Sequence, residues 1–182
     1  MRFGDHADSG PDDTDFRILA ILQDDCRLPL ARIGEAVGLS APAVLERIKK
    51  LEAAEIITGY RAILDGRKIG LDITAFIGVI IGHPAGITEF EQQIAAIEDV
   101  LECHHVTGEY TLLLKTKTAN TSSLEHLISR IRALDGVART ETLVVLSTHT
   151  ERVQLALPRG TQADGPGRRS RRNGDRHALK GN

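Results

Sequence analysis

The hydrophobic period of this chain changes once along its length, and that change constrains the fold more than any other feature. Between residues 14 and 60, apolar side chains recur three and four positions apart. One stripe holds Ile18, Leu19 and Leu22, the next Leu30, Ile33 and Val37, and the third Val44, Ile48 and Leu51. Such spacing aligns one apolar stripe along each of three α-helices. Beyond residue 61 the pattern turns to β-branched runs separated by shorter helical stretches. Two periods in separate blocks predict two domains, a helical one followed by a mixed one.

The helical block carries its own punctuation. Thr14 or Asp15 can cap the first helix, Leu28-Pro29 breaks it, and Pro29 suits the first turn of the second. Gly38-Leu39 marks a tight turn, Ser40 caps the third helix, and Pro42 is tolerated in its first turn. In the second block, residues 73–81 read as a buried strand ended by Gly82-His83-Pro84. Residues 88–98 read as a helix, with Thr88 and Glu91 spaced for a capping box. Residues 100–106 and 110–117 read as strands joined across Thr107-Gly108-Glu109. A helix over 121–134 buries Leu124, Leu127, Ile128 and Ile131 and ends at Asp135-Gly136, and a last strand covers 137–148. The order βαββαβ is the ferredoxin-like split arrangement.

Composition narrows the class. Hydrophobic residues at 41% supply a core, which excludes wholesale disorder, and aromatics at 3% make that core aliphatic. No 18-residue apolar run exists, so no membrane-spanning helix is expected. The opening MRFGDHADSG lacks the apolar segment of a secretory signal, and Cys26 and Cys103 cannot build a disulfide framework. The expectation is a cytoplasmic protein with free thiols. Residues 1–13 read as a flexible arm and residues 158–182 as a disordered basic tail. From Arg159 to Asn182, seven Lys and Arg face only Asp164 and Asp175, so this stretch is +5 within a chain of net charge −2. It reads either as a source of nonspecific phosphate contacts or as a solvated extension without function.

The second and third helices with their glycine turn form a helix-turn-helix candidate. Such a unit needs a small residue inside its first helix, glycine in the turn, and apolar residues locking its second helix. Gly34, Gly38, Leu39 and Val44 meet those needs. Its second helix enters the major groove of duplex DNA. Ser40, Ala41, Pro42, Ala43, Glu46, Arg47 and Lys50 would then point outward, with Arg47 and Lys50 available to phosphates or base edges. The competing reading is an ordinary three-helix subdomain with a solvated charged face.

These residues also resemble a known family. Asp15-Phe16-Arg17-Ile18-Leu19, Leu39-Ser40 through Val44, Arg47-Ile48, Leu51-Glu52 and Ile57-Thr58-Gly59-Tyr60 look like the Lrp/AsnC (feast/famine) transcriptional regulators. Glu102-Cys103-His104, Val106-Thr107-Gly108-Glu109-Tyr110 and Leu113-Leu114-Lys115-Thr116 resemble that family's ligand-sensing domain. The resemblance covers about residues 14–152. It implies an α+β protein with a winged-type helix-turn-helix domain (14–60), a linker strand (61–70) and a ferredoxin-like domain (71–157) that forms dimers or higher homo-oligomers through its sheets. It further implies double-stranded DNA as partner and an amino-acid effector bound between subunits near Thr107, Gly108, Glu109 and Thr111. No cofactor is implied.

Two positions depart from the family pattern. Glu55 stands where the turn after the recognition helix commonly has glycine, so either left-handed strain or another cap is expected. Thr111 stands where an Asp is frequent. A neutral hydroxyl replaces a carboxylate able to hold an ammonium group.

Other constellations are weaker. Cys103, His104 and His105 are adjacent, but alternation along a strand puts His104 on the opposite face, so a metal would need His83, His126 or His149 as remote ligands. Cys103, His105 and Asp99 converge poorly for catalysis, and no Gly-rich phosphate loop follows a strand. No enzyme is expected. Two rivals to a sequence-reading regulator remain: a small-molecule-binding oligomer that does not bind DNA, and an architectural protein that coats DNA nonspecifically.

Overall fold

Three helices build the first unit. The structure is a computed structural model and describes residues 10–83 and 86–158. Helix α1 (Asp13–Asp24) takes Asp12 as its N-cap, two to three residues before the predicted caps, because Asp12 and Asp15 cap each other. The Asp15 N–H donates to Asp12 Oδ1 at 2.8 Å, and the Asp12 N–H donates to Asp15 Oδ2 at 3.0 Å. Two otherwise orphaned donors are thereby satisfied. Pro29 immediately precedes α2 (Leu30–Val37), and Gly38 ends it in the left-handed region at φ 78°. Ser40 caps α3 (Ala41–Ala53), its Oγ accepting from the Ala43 N–H at 3.4 Å, with Pro42 in the first turn as predicted. Ile18, Ile33, Val37, Val44 and Ile48 meet in an all-aliphatic core.

Among the described residues this unit is built from helices, with no strand. Nor is there a linker strand at 61–70. A lone extended segment has no neighbour for its N–H and C=O groups. Here Asp65 instead accepts from the Arg67 N–H at 3.1 Å, and Gly70 at φ 83° closes a 3-10 turn over Gly66–Ile69.

The second unit, Ala62–Glu151, is a four-stranded sheet with two helices on one face. Its elements are β1 (Ile73–Ile81), α4 (Ile87–Ala95), β2 (Val100–His105), β3 (Leu112–Thr118), α5 (Thr121–Arg132) and β4 (Val137–Val144). The strand order is β2-β3-β1-β4, with every neighbouring pair antiparallel. This is the predicted ferredoxin-like topology. β1 lies centrally because it is apolar on both faces. Ile77 and Val79 pack with Leu112, Leu114, Phe90, Ile94, Leu127 and Ile131, while Phe76 and Ile80 point to the helix-free side. Residues 152–158 belong with the first unit rather than the second.

Boundaries moved where local chemistry decided them. Gly86 precedes α4 without a side-chain cap, and Thr88 already lies inside the helix, so the Thr88–Glu91 box does not form. Asn120 caps α5, its Oδ1 accepting from the Ser123 N–H at 3.0 Å. β3 starts at Leu112, leaving Tyr110 in the connection, and β4 stops at Val144.

Candidate nucleic-acid interface and ligand loop

The helix-turn-helix angle is set by a near-contact that only glycine permits. A Cβ on Gly34 would lie 2.4 Å from the Leu39 carbonyl oxygen. Without it, the Gly38 and Leu39 N–H groups both donate to the Gly34 carbonyl, at 2.8 and 2.9 Å. The chain thus turns within two residues and delivers Ser40 to the start of α3.

On α3, Val44, Ile48 and Leu51 are buried, and Pro42, Leu45, Glu46, Lys49 and Lys50 are exposed. Ala41 and Ala43 are half-buried at the N-terminal end, where their small side chains leave the backbone approachable. Lys50 pairs with Glu46 at 2.9 Å one turn away, which holds the Glu46 carboxyl below its ordinary range. Arg47 points elsewhere. Its Nη1 lies 2.8 Å from Asp15 Oδ1 and 2.7 Å from Asp12 Oδ2. The hydrogen bond to Asp15, then that to Asp12, hold the guanidinium still more firmly protonated. For Asp12, partial burial works upward, but the Asp15 N–H and Arg47 outweigh it and leave the carboxyl below its ordinary 3.8. Six of the seven predicted residues therefore sit at the helix cap or along its outer surface, and Arg47 ties α3 to α1. Leu45 and Lys49 share the outer face without having been predicted. A wheel drawn from Pro42 would have found them, since positions three, four and seven on lie above it.

α3 ends in a Schellman motif at the position where a glycine is common. The Ile56 N–H donates to the Leu51 carbonyl and the Glu55 N–H to the Glu52 carbonyl, both at 2.9 Å. Glu55 adopts φ 55°, the one non-glycine positive φ among the described residues. Of the two outcomes expected there, left-handed strain is the one adopted. Nearby, the Tyr60 hydroxyl donates to Glu52 Oε1 at 2.9 Å, and burial together with that carboxylate pushes it up to about 12.

In the second unit, residues 106–111 connect β2 to β3. Thr107, Gly108 and Glu109 are exposed at its tip. Gly108 has φ 118°, and a Cβ there would meet nothing within 4 Å, so dihedral freedom rather than crowding calls for glycine. Thr111 is drawn into the sheet end. Its N–H donates to the Val79 carbonyl at 2.9 Å, and its Oγ1 accepts from the Ile81 N–H at 3.2 Å. The Tyr110 ring covers Gly78 so closely that a Cβ would stand 2.5 Å from it.

The helix-free sheet face carries Phe76, Ile80, Leu113 and Leu143 beside a charged group. Lys115 Nζ lies 2.6 Å from Glu151 and 3.3 Å from Glu102, and His104 Nε2 lies 3.1 Å from Glu102. Glu151, then Glu102, hold the Lys115 ammonium up against its burial. His104, then Lys115, hold Glu102 down. Cys103 and His105 pair with Leu114 and Leu112 on the helix side, whereas His104 pairs with Leu113 on the other, as alternation required. Among the described residues no group of three metal-ligating side chains forms. Burial pushes the Cys103 thiol up, which makes it a poorer nucleophile. No helix among them is long and apolar enough to cross a membrane.

A helix-turn-helix joined in one chain to a ferredoxin-like sheet defines a class of two-domain transcription regulator. The AsnC-type helix-turn-helix domain matches residues 12–52, and the Lrp/AsnC ligand binding domain matches residues 74–155. The chain belongs to the Lrp/AsnC family of transcriptional regulators. The HTH-type transcriptional regulator FL11 of Pyrococcus horikoshii is 33% identical over 147 residues, covering 80% of this chain and 96% of that protein. A transcriptional regulator from Neisseria meningitidis, solved as a complex with L-Met, superposes with a TM-score of 0.77 at 30% identity, covering 81% of this chain and 97% of that one. The feast or famine regulatory protein from M. tuberculosis, complexed with L-methionine, gives 0.75 at 30%, covering 79% and 97%.

Proposed function

We propose that this regulator reads duplex DNA through the outer face of α3, as a homodimer or larger homo-oligomer, and that a small amino acid bound between subunits modulates the affinity. The observation that carries the reading is the exposed face Pro42, Leu45, Glu46, Lys49 and Lys50, presented behind the Gly34–Leu39 turn. Lys49 and Lys50 take phosphates or base edges, Leu45 offers apolar contact to a thymine methyl, and Ala41 and Ala43 admit the groove wall. Arg47 acts as the brace that fixes the helix rather than as a base reader.

Two copies associate through the helix-free sheet face, where Phe76, Leu113 and Leu143 are apolar. The resulting pair of heads contacts two half-sites. The effector occupies the loop at Thr107, Gly108 and Glu109. Thr111 has its hydroxyl oxygen engaged by Ile81 and holds the sheet end beneath that loop. An effector that favours one subunit arrangement shifts DNA affinity by linkage. The protein works in the cytoplasm.

The test is fluorescence anisotropy with the duplex upstream of this protein's own gene against a scrambled duplex, across salt. Preference for the upstream duplex at physiological salt supports a sequence-reading regulator. Equal, steeply salt-dependent binding to both points to nonspecific coating, and no binding to either points to a ligand-binding oligomer.

A further inference from the structure

Among the described residues, Gly78 is the only glycine within a strand. It sits in the middle of β1, where a glycine weakens the strand and offers no side chain to pack. It faces the helix-free side between Phe76 and Ile80, with Leu113 opposite on β3 and Glu141 opposite on β4. The space it leaves is taken by the Tyr110 ring. A Cβ on Gly78 would stand 2.5 Å from Tyr110 Cδ1 and 2.7 Å from both Cγ and Cε1. Burial, then the neighbouring Glu141 carboxylate, raise the Tyr110 hydroxyl above its ordinary range.

Tyr110 stands between a free tip and a fixed anchor. Thr107, Gly108 and Glu109 are exposed, and the Val106 N–H closes the base of their loop on the Thr111 carbonyl at 3.1 Å. Thr111 is pinned to the end of β1 through the Val79 carbonyl and the Ile81 N–H. A displacement of the tip therefore stops at Thr111 along the backbone. The Tyr110 ring, half-buried on the sheet, is the part of the connection that can carry it further.

We propose that Tyr110 is a positioning residue for the effector: its ring, keyed into the notch left by Gly78, holds the Thr107–Glu109 tip in the conformation that accepts an amino acid, and presents that conformation on the sheet face where a second copy packs. The inference rests on the effector and oligomer readings above. The ring has two positions, seated on Gly78 and lifted from it. Effector and second copy both favour the seated one, so each strengthens the other by the same factor.

The chain has two tyrosines and no tryptophan, so Tyr60→Phe leaves Tyr110 as its one strong fluorophore. In that background each protein amino acid is titrated alone, read by Tyr110 emission, acrylamide quenching and sedimentation. The effective one should lower quenching severalfold and tighten assembly by about tenfold. Gly78→Ala puts a methyl where the ring rests. A side chain free to turn yields before the strand does, so effector binding should weaken by about tenfold with the circular dichroism unchanged. Calorimetry follows the variants that lack the fluorophore. Tyr110→Ala should lose as much as Gly78→Ala, and the double variant no more than either, because the methyl then meets no ring. Tyr110→Phe keeps the ring and should bind as the parent does; this variant and Tyr110→Ala decide the matter even where Gly78→Ala fails to fold. Losses that add in the double variant overturn the keying, as does full binding by Tyr110→Ala or a loss in Tyr110→Phe equal to that in Tyr110→Ala. Binding that leaves Tyr110 quenching and assembly unmoved overturns the link to the second copy. Failure of every amino acid to bind the parent overturns the effector reading itself.

Discussion

Arg47 on α3 lies 2.8 Å from Asp15 on the first turn of α1, and this pair fixes the pitch of the recognition helix. Asp12, the N-cap of α1, takes the same guanidinium nitrogen at 2.7 Å. The two carboxylates that cap one helix thus brace another. Residues 32 and 35 positions apart are joined by these charges, beside the aliphatic core that Ile18 shares with Val44 and Ile48.

Removing the brace should cost stability before it costs recognition. Arg47→Ala should lower the unfolding free energy by about 1 kcal/mol, the lower range for charge-assisted bonds because the guanidinium is one-third exposed. Lys49→Ala should leave the melting temperature unchanged and weaken DNA binding severalfold. Thermal melts beside anisotropy separate the two. An Arg47→Ala protein that melts like the parent yet loses binding at saturating fold would make Arg47 a DNA contact after all.

Acid should loosen the brace and the sheet charges together. The carboxyls of Asp12, Glu102 and Glu151 are held below their ordinary 3.8 and 4.5. Folded values depressed in this way add stability that is complete above about pH 5 and is lost as pH falls through the folded values. Denaturant midpoints should therefore be flat down to about pH 5 and fall below it. In Asp12→Asn the fall should be shallower.

Gly34→Ala should be among the most damaging single-methyl changes in the first unit. Its Cβ would sit 2.4 Å from a backbone oxygen, which no side-chain rotation relieves. A loss of about 2–3 kcal/mol is expected. Circular dichroism should show partial loss of helix near 37 °C, and DNA binding should fall with it.

Glu55→Gly should stabilise the protein. The residue sits at φ 55° in the Schellman turn, where a side chain costs about 1 kcal/mol relative to glycine. Urea midpoints should rise accordingly. An unchanged midpoint would mean that lost chain entropy in glycine offsets the relief.

Leu143→Asp places a charge on the apolar, helix-free side of the sheet opposite Phe76. Sedimentation should show a monomer in place of an oligomer, with the far-ultraviolet spectrum unchanged. A persistent oligomer would move the subunit contact elsewhere.

The three helices and the βαββαβ order were legible because burial imposes period. Val44, Ile48 and Leu51 announced the inner face of α3, and the apolar 73–81 run announced the central strand with its true ends. Glycine needs were legible too, since Gly38 and Gly108 both sit at positive φ. What remained hidden depends on which partner a side chain takes, and most of those partners are distant in sequence. Asp15 has the same local spelling as a cap or as the partner of one, and only Asp12 three residues earlier decides. Arg47 reads as a groove residue by helical position, and the acids that capture it lie in another helix. Gln23 has no local signal at all, because its partner is Leu155. Thr111 was legible as a departure, whereas its hydrogen bond to the end of β1 was not.

Residues 154–158, held to α1 where the Gln23 amide bonds both backbone groups of Leu155, also have a bearing on biosynthesis. Leu155 leaves the ribosome more than ninety residues after Arg61, so α1 emerges long before the segment that covers it. At about 5–20 residues per second that interval is roughly 5–20 s, far longer than helix formation requires. During it the Phe16 and Ile21 side of α1 is bare. A nascent head is therefore exposed to chaperones, or to the heads of neighbouring chains on the same message, until the sheet domain has been made and the chain has doubled back.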